Sequence, residues 1–103
     1  MVNETNTGLL HPERFILQLY VSGMSENSMS AIENIKRLCE DHLKDRFELE
    51  IIDIYKNPTV AEAQQIVFTP SLIKLSPLPK KTLIGSLSDE ESVVSGLGIT
   101  IKK

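Results

Sequence analysis

Three stretches of the N-terminal half differ in the spacing of their apolar residues. Residues 15–21 form a compact run rich in aliphatic and aromatic side chains, which is typical of a strand buried on both faces. From residue 27 or 28 to about residue 44, apolar residues recur every three or four positions, which predicts an amphipathic helix. Residues 47–54 alternate and predict a second strand. Two strands joined by such a helix should be parallel, so this half predicts a βαβ unit.

The second half opens with a short helix. Asn57 can accept free backbone amides and Pro58 suits the first helical position, so a helix is predicted to start here and to run to about residue 67. Thr69 and Pro70 interrupt it, and residues 71–75 predict a third strand.

A proline-containing turn over residues 76–79 should lead into a fourth strand over residues 80–85, antiparallel to the third. Ser88 and Glu91 match a capping box for a last helix that reaches about Leu97. The predicted order is therefore βαβαββα, an α/β class with the element order of the thioredoxin fold. In that fold the pair before the third strand carries a cis-proline, so Thr69–Pro70 is expected to be cis.

One segment gives conflicting signals. The capping box predicts a helix through residue 97, but the apolar residues Leu97, Ile99 and Ile101 alternate as in a strand. Gly96 and Gly98 each weaken a helix by roughly 1 kcal/mol. Over residues 92–101 the capping pattern therefore favours a helix, while the alternating apolar residues favour a strand.

Size and composition indicate one domain. The chain has 103 residues, of which 1–13 are predicted to be a polar N-terminal extension and 14–103 a single domain. The net charge of −3 gives no electrostatic reason to expect nucleic acid or an anionic membrane as partner. No apolar run is long enough for a membrane helix, and the start does not resemble a secretory signal. A single cysteine fits a reducing compartment, so a cytoplasmic location is expected.

The sequence offers no catalytic group at the expected place. Thioredoxin chemistry needs a cysteine pair at the start of the first helix, where residues 23–28 contain none. Cys39 lies on the apolar helix face and is interpreted as a core residue. His11 and His42 have no partners at hydrolase or metal-ligand spacing. Asp53 is expected to cap or to form a turn. We therefore expect no enzyme activity, no cofactor and no metal.

Four blocks of the chain resemble the KaiB family of circadian-clock proteins. They occur in the family's order and spacing over roughly residues 15–98, at residues 19–23 (LYVSG), 52–58 (IDIYKNP), 69–72 (TPSL) and 83–88 (LIGSLS).

The resemblance implies a non-catalytic regulator that binds the hexameric ATPase KaiC. It also implies a dimer or tetramer, and an alternative βαββααβ ground-state arrangement in which only the second half differs. Residues 92–101, where the signals conflict, lie in that half. The rearranging residues implied by the family are Thr69, Pro70, Pro77, Pro79, Gly96 and Gly98.

The resemblance also implies a docking face on the second half. Lys56, Asn57, Pro58 and Gln65 are expected to contact the ATPase, with Lys74, Lys80 and Lys81 supplying charge complementarity. From composition alone, these lysines could equally form a solvated edge that blocks aggregation. Two other functions remain open: a thioredoxin-like adaptor or sensor domain, as in KaiC-binding histidine kinases, and a glutathione-dependent enzyme with serine at the helix start.

Overall fold

The helices and strands follow the predicted βαβαββα order. The structure is a computed structural model that describes residues 14–99, so the predicted extension (residues 1–13) and the last four residues lie outside it. Its elements are β1 (Phe15–Val21), α1 (Glu26–His42), β2 (Phe47–Asp53), α2 (Pro58–Ala63), β3 (Ser71–Ser76), β4 (Lys81–Ile84) and α3 (Glu90–Leu97).

The strands form one sheet in the order β2-β1-β3-β4. β1 pairs in parallel with β2 and antiparallel with β3, so that Leu19 lies between Ile51 and Leu72. This central position explains why β1 reads as a continuous apolar run. β2 is an edge strand and therefore alternates, with Glu48 and Glu50 exposed. The predicted parallel pairing is confirmed.

The main core lies on the sheet face that α1 and α3 cover. It contains the odd-numbered residues of β1, one face each of α1 and α3, and single residues from β3 and the connecting segments: Phe15, Leu17, Leu19, Val21, Ala31, Ile35, Leu38, Cys39, Leu43, Leu72, Leu87, Val93, Val94, Leu97 and Ile99. Burial of each large side chain stabilises the fold by about 1.5–3 kcal/mol. The opposite face holds a smaller cluster of Tyr20, Ile52 and Ile73. Cys39 is buried, as predicted.

The starts of α1 and α3 differ from the predicted ones by one or two residues. α1 begins at Glu26 because the hydroxyl of Ser25 accepts a hydrogen bond from the backbone N–H of Ser28. The predicted capping box at residues 88 and 91 is wrong. Asp89 is the N-cap of α3, and its carboxylate accepts from both the backbone and the hydroxyl of Ser92. The Ser92 hydroxyl lowers the pKa of Asp89.

α2 starts at Pro58, as predicted, but Asn57 does not cap it with its side chain. The Asn57 amide instead donates to the backbone oxygen of Asp53 at 3.1 Å. The helix ends at Ala63, four residues earlier than predicted. Gln65 adopts a positive φ of 57°, and the N–H of Ile66 bonds back to Ala61, which turns the chain out of the helix.

The segment with conflicting signals is helical as far as Leu97. Gly98 ends α3 with a φ of 75°, and the N–H of Ile99 bonds to the carbonyl of Val94. A side chain at Gly96 would place its Cβ 2.8 Å from a methyl of Leu83, so this glycine permits close packing of α3 on β4. Residues 14–99 thus show the thioredoxin-like arrangement and not the alternative βαββααβ order.

Lys74 corrects one prediction. It is only 3% exposed, its Nζ donates to the carbonyl oxygen of Leu97 at 2.9 Å, and it lies 5.8 Å from the centre of the Phe15 ring. The residue pairs with Leu17 in the sheet register, so its side chain points to the layer of α1 and α3. The expectation that Lys74 belongs to an exposed basic surface is therefore wrong in this fold: the lysine binds the C-terminal end of α3.

Candidate functional site

The loop between β1 and α1 replaces the cysteine motif of thioredoxins with mutually bonded serines. The Ser28 hydroxyl accepts from the backbone N–H of Ser22 at 3.2 Å and from the hydroxyl of Ser25 at 2.9 Å. Ser28 is fully buried. His42, the histidine of the described part, lies at the other end of α1 beside Glu90. Ser25 caps the helix, and within residues 14–99 no histidine lies next to these serines.

Asp53 ties the end of β2 to the loop after β1. Its Oδ1 accepts from the backbone N–H of Gly23 at 3.2 Å and from that of Tyr55 at 2.9 Å. Gly23 has a φ of 62°, and a Cβ there would lie 3.5 Å from the Tyr55 ring. The predicted turn role of Asp53 is confirmed, and glycine is the residue that suits this backbone conformation.

Replacing Asp53 with alanine is expected to lower the free energy of unfolding by about 1–3 kcal/mol, because two loop amides lose their acceptor. Chemical denaturation measures this. Asp41→Ala, at an exposed position of α1, is the matched control and should change the value by less than about 0.5 kcal/mol. Equal effects of the two variants would contradict the role assigned to Asp53.

A third loop joins the same end of the sheet. The hydroxyls of Ser22 and Thr69 are 2.8 Å apart, which brings the loop before β3 against the loop after β1. The Thr69–Pro70 bond is cis, as predicted, and the Ser71 hydroxyl donates to the carbonyl of Phe68. Loops separated by 30 to 47 residues therefore meet at the carboxyl ends of β1 and β2.

These three loops carry exposed apolar side chains. Met24 is 76% exposed, Tyr55 74%, Val67 79% and Phe68 61%. We call these four residues the apolar loop face. The chain has only three phenylalanines and two tyrosines, so two of its five aromatic residues lie here in solvent. Exposed apolar side chains gathered on neighbouring loops are typical of interaction sites.

Sequence reasoning missed the apolar loop face because it searched for charged and polar residues. The sequence does contain an indication of this face, because its apolar residues occur within segments that otherwise consist of turn and loop residues. Their proximity could not be read from the sequence, since it depends on tertiary contacts of Ser22, Asp53 and Thr69.

The predicted docking residues fall into separate places. Lys56, Asn57, Pro58 and Gln65 are all exposed and flank the apolar loop face in the chain. Lys80 and Lys81 are exposed at the start of β4, where Lys81 pairs with Lys74, roughly 10 Å along β3 from its first residue. Lys74 is buried.

The predicted rearranging residues are also dispersed. Pro70 lies at the end of the sheet that carries the apolar loop face, Pro77 and Pro79 lie in the turn at the opposite end, and Gly96 and Gly98 lie at the end of α3. The Ser76–Pro77 and Leu78–Pro79 bonds are cis.

Burial controls the chemistry of the one cysteine. Burial, with a smaller contribution from the charge of Glu40, raises the pKa of the Cys39 thiol to about 12. The thiol therefore stays protonated at neutral pH and is a poor nucleophile. Residues 14–99 also contain no cluster of three side chains that could hold a metal ion.

Cys39 is expected to react with a disulfide reagent at pH 8 at least about 100-fold more slowly in the native protein than in the unfolded one, because its thiolate is rare and shielded. The rate of the reaction is measured from the absorbance of the chromophore that the disulfide reagent releases. Ser25→Cys places a thiol at the exposed start of α1 and should add one fast-reacting equivalent. Fast labelling of the unmodified protein would contradict the assigned environment.

Comparison with known proteins assigns the family. A family model described as the KaiB domain matches residues 18–99. The chain belongs to the KaiB family. The circadian clock protein KaiB3 of Synechocystis sp. is 44% identical over 86 residues, 84% of this chain and 84% of that protein. The circadian clock oscillator protein KaiB of Synechococcus elongatus is 42% identical over 85 residues, 82% of this chain and 83% of that protein.

Solved structures agree on the thioredoxin-like fold of this KaiB domain. The N-terminal domain of SasA from Synechococcus elongatus has a TM-score of 0.68 at 23% identity and covers 85% of this chain and 87% of that one. Mitochondrial thioredoxin 3 of Saccharomyces cerevisiae has a TM-score of 0.67 at 11% identity and covers 95% and 91%. Within residues 14–99, no helix is both long and apolar enough to cross a membrane.

Proposed function

We propose that this protein is a non-catalytic regulator of the KaiB type that docks on a KaiC-type hexameric ATPase. Family membership and the clock proteins at 42–44% identity support this assignment. The observation that carries it is the apolar loop face, because four exposed large side chains on three converging loops are the surface that a protein partner would cover.

The polar residues around this face support the same role. Lys56, Asn57, Pro58 and Gln65 are exposed beside Tyr55 and Val67 and would form the polar rim of the contact. Lys80 and Lys81 lie at the start of β4, outside this rim, where their charge would speed the approach of an acidic partner surface more than it would raise the affinity.

The side chains of the helix start support a role without catalysis. Ser25 and Ser28 bond to each other and to the backbone, and the single cysteine is buried. We expect neither glutathione binding nor thiol transfer, and we place the protein in the cytoplasm because one cysteine cannot form an internal disulfide.

The test is to mix the purified chain with the KaiC homologue of the same organism. Co-elution in gel filtration and a changed rate of ATP hydrolysis are the expected results. The incubation should last hours to allow a slow rearrangement. Absence of both effects after that time would overturn the proposal.

An adaptor domain is the second candidate, favoured by the fold likeness to the N-terminal domain of SasA. An adaptor would bind the ATPase without changing its rate of hydrolysis, whereas a regulator would change it. The same mixing experiment therefore separates the two.

We also propose that the second half rearranges through Thr69, Pro70, Pro77, Pro79, Gly96 and Gly98, with a dimer or tetramer as the alternative state. Amide NMR spectra at several temperatures test this. Two sets of peaks for residues 71–101 and one set for residues 15–54 are expected. A single set throughout, at all temperatures and protein concentrations, would contradict it.

A further inference from the structure

A strained backbone conformation occurs at Leu87, in the segment that joins β4 to α3. Leu87 has a φ of 62°, in the left-handed region where a residue with a bulky side chain is unfavourable. At similar angles the chain uses glycine, with a φ of 62° at Gly23 and of 75° at Gly98. The strain in the segment before α3 is therefore concentrated at Leu87.

Contacts on both sides of Leu87 keep the residue in this conformation. Before it, the side-chain amide of Asn34 on α1 donates to the carbonyl of Ser86 at 2.9 Å. The Leu87 side chain itself is buried in the main core together with Val93 of α3. A strained residue persists only where its surroundings determine its conformation, and here the seated α3 is part of those surroundings. Movement of α3 away from the sheet would therefore allow Leu87 to relax.

The other end of α3 is held by Lys74. Its Nζ donates to the carbonyl oxygen of Leu97 at 2.9 Å in a buried position. That carbonyl belongs to the last turn of the helix, where carbonyls lack donors within the helix and where a cation is favourable. Because Lys74 lies on β3 and Leu97 on α3, this hydrogen bond exists only while α3 is seated on the sheet.

We propose that α3 is a detachable element, whose release is favoured by relaxation of Leu87 and opposed by the buried hydrogen bond of Lys74. β1 and β2 would stay paired after the release, since their register does not involve α3. This inference rests on the rearrangement of the second half proposed above. It adds which residue favours departure from the thioredoxin-like arrangement and which residue restrains it.

The first experiment measures hydrogen exchange of single amides in the full-length protein at low urea concentrations. The amides of Val93 and Leu97, near the two ends of α3, are expected to share one opening constant. That constant should be at least about 100-fold larger than the one for Leu19 at the centre of β1, because α3 leaves while the sheet stays folded. Equal constants for Leu97 and Leu19 would overturn the proposal, since α3 would then open only with the whole domain.

Two variants distinguish release of α3 from unfolding of the domain. Lys74→Met loses the bond to the Leu97 carbonyl, so the exchange of the Leu97 amide should become at least about tenfold faster. Asp53→Ala is the matched control, because the contacts of Asp53 with the loop after β1 remain when α3 leaves. It should speed the exchange of Leu19 but change that of Leu97 less than about twofold. No effect of Lys74→Met at Leu97 would exclude the restraining role of the lysine.

The variants Leu87→Ala and Leu87→Gly test the strain. Both lose the leucine side chain, but glycine adopts a φ of 62° without strain, so Leu97 should exchange about tenfold more slowly in the glycine variant. The opposite order is expected at Ser95, an exposed helical position where alanine is the better residue. If either Leu87 variant is too unstable for exchange, the midpoints of urea denaturation in the presence of sulfate give the same comparison. A more stable alanine variant at position 87 would contradict the assigned strain.

The outcomes separate this inference from the rearrangement on which it rests. If NMR spectra show a second set of peaks for the second half, Lys74→Met should raise its share of the intensity at least about fivefold. A second set whose share does not change leaves the rearrangement standing and overturns the role of Lys74. If only one set of peaks exists, the proposed rearrangement fails, and hydrogen exchange alone decides whether α3 detaches.

Discussion

Replacing Lys74 with glutamate is expected to lower the free energy of unfolding by at least about 3 kcal/mol. The Nζ of Lys74 now donates to the carbonyl oxygen of Leu97 in a buried position. The carboxylate of Glu at position 74 would lie against the carbonyl oxygen of Leu97. Both groups accept hydrogen bonds, and no donor would lie between them. The carboxylate would also stand at the negative end of the α3 dipole, where an anion is unfavourable.

Lys81→Glu is the matched control because Lys81 is the register partner of Lys74 on β4 but is exposed. Its effect should stay within about 0.5 kcal/mol. Lys74→Met keeps most of the apolar stem and loses only the hydrogen bond, so it should lie between the two, at about 1–3 kcal/mol. Urea denaturation followed by circular dichroism gives all three values. Equal stability of Lys74→Glu and Lys81→Glu would contradict the hydrogen bond by which Lys74 holds the end of α3 on the sheet.

The element order was predictable because the apolar spacing differs between elements. β1 is central and reads as continuous, whereas α1 shows a helical period and β2 alternates at the edge. Helix ends were less predictable, because they depend on single hydrogen bonds. Asp89 caps α3 by bonding to Ser92, and Gln65 ends α2 early because it adopts a left-handed conformation. In each case a neighbouring residue could have ended or capped the helix equally well.

Lys74 shows what the sequence could not reveal about the core. Residues 71–75 contain no clear alternation, so the side of the sheet that each residue faces cannot be read from the pattern. Lys74 faces the core because it pairs with Leu17 in the sheet. The carbonyl of Leu97, which accepts its hydrogen bond, is 23 residues away in the chain. A lysine is almost never fully buried without a partner, and here the partner is supplied by the tertiary fold.

The site was predictable in part. The family resemblance identified Lys56, Asn57, Pro58 and Gln65, which flank the apolar loop face, but the apolar residues themselves were not selected. A sequence shows which residues are charged but not which apolar side chains are exposed. Phenylalanine is most often buried in folded proteins, so the sequence offers no reason to expect Phe68 on the surface. Only the contacts between loops show that Phe68 remains in solvent.

Phe68→Ser is expected to weaken binding of the KaiC homologue by about 30-fold or more, the effect of losing about 2 kcal/mol at a central aromatic contact. Because Phe68 is 61% exposed in the free protein, its stability should change by less than about 0.5 kcal/mol. Titration calorimetry measures the affinity, and denaturation checks the fold.

Leu78→Ser is the matched control for this prediction. Leu78 is 80% exposed, similar in size, and lies in the β3–β4 turn at the opposite end of the sheet. Its replacement should change the affinity less than about twofold, since the turn would not reach a partner seated on the apolar loop face. The reverse pattern, with Leu78→Ser disruptive and Phe68→Ser neutral, would move the contact to the end that carries Lys80 and Lys81. Lys56 and Gln65 would then lie outside the interface, and the apolar loop face would need a different occupant.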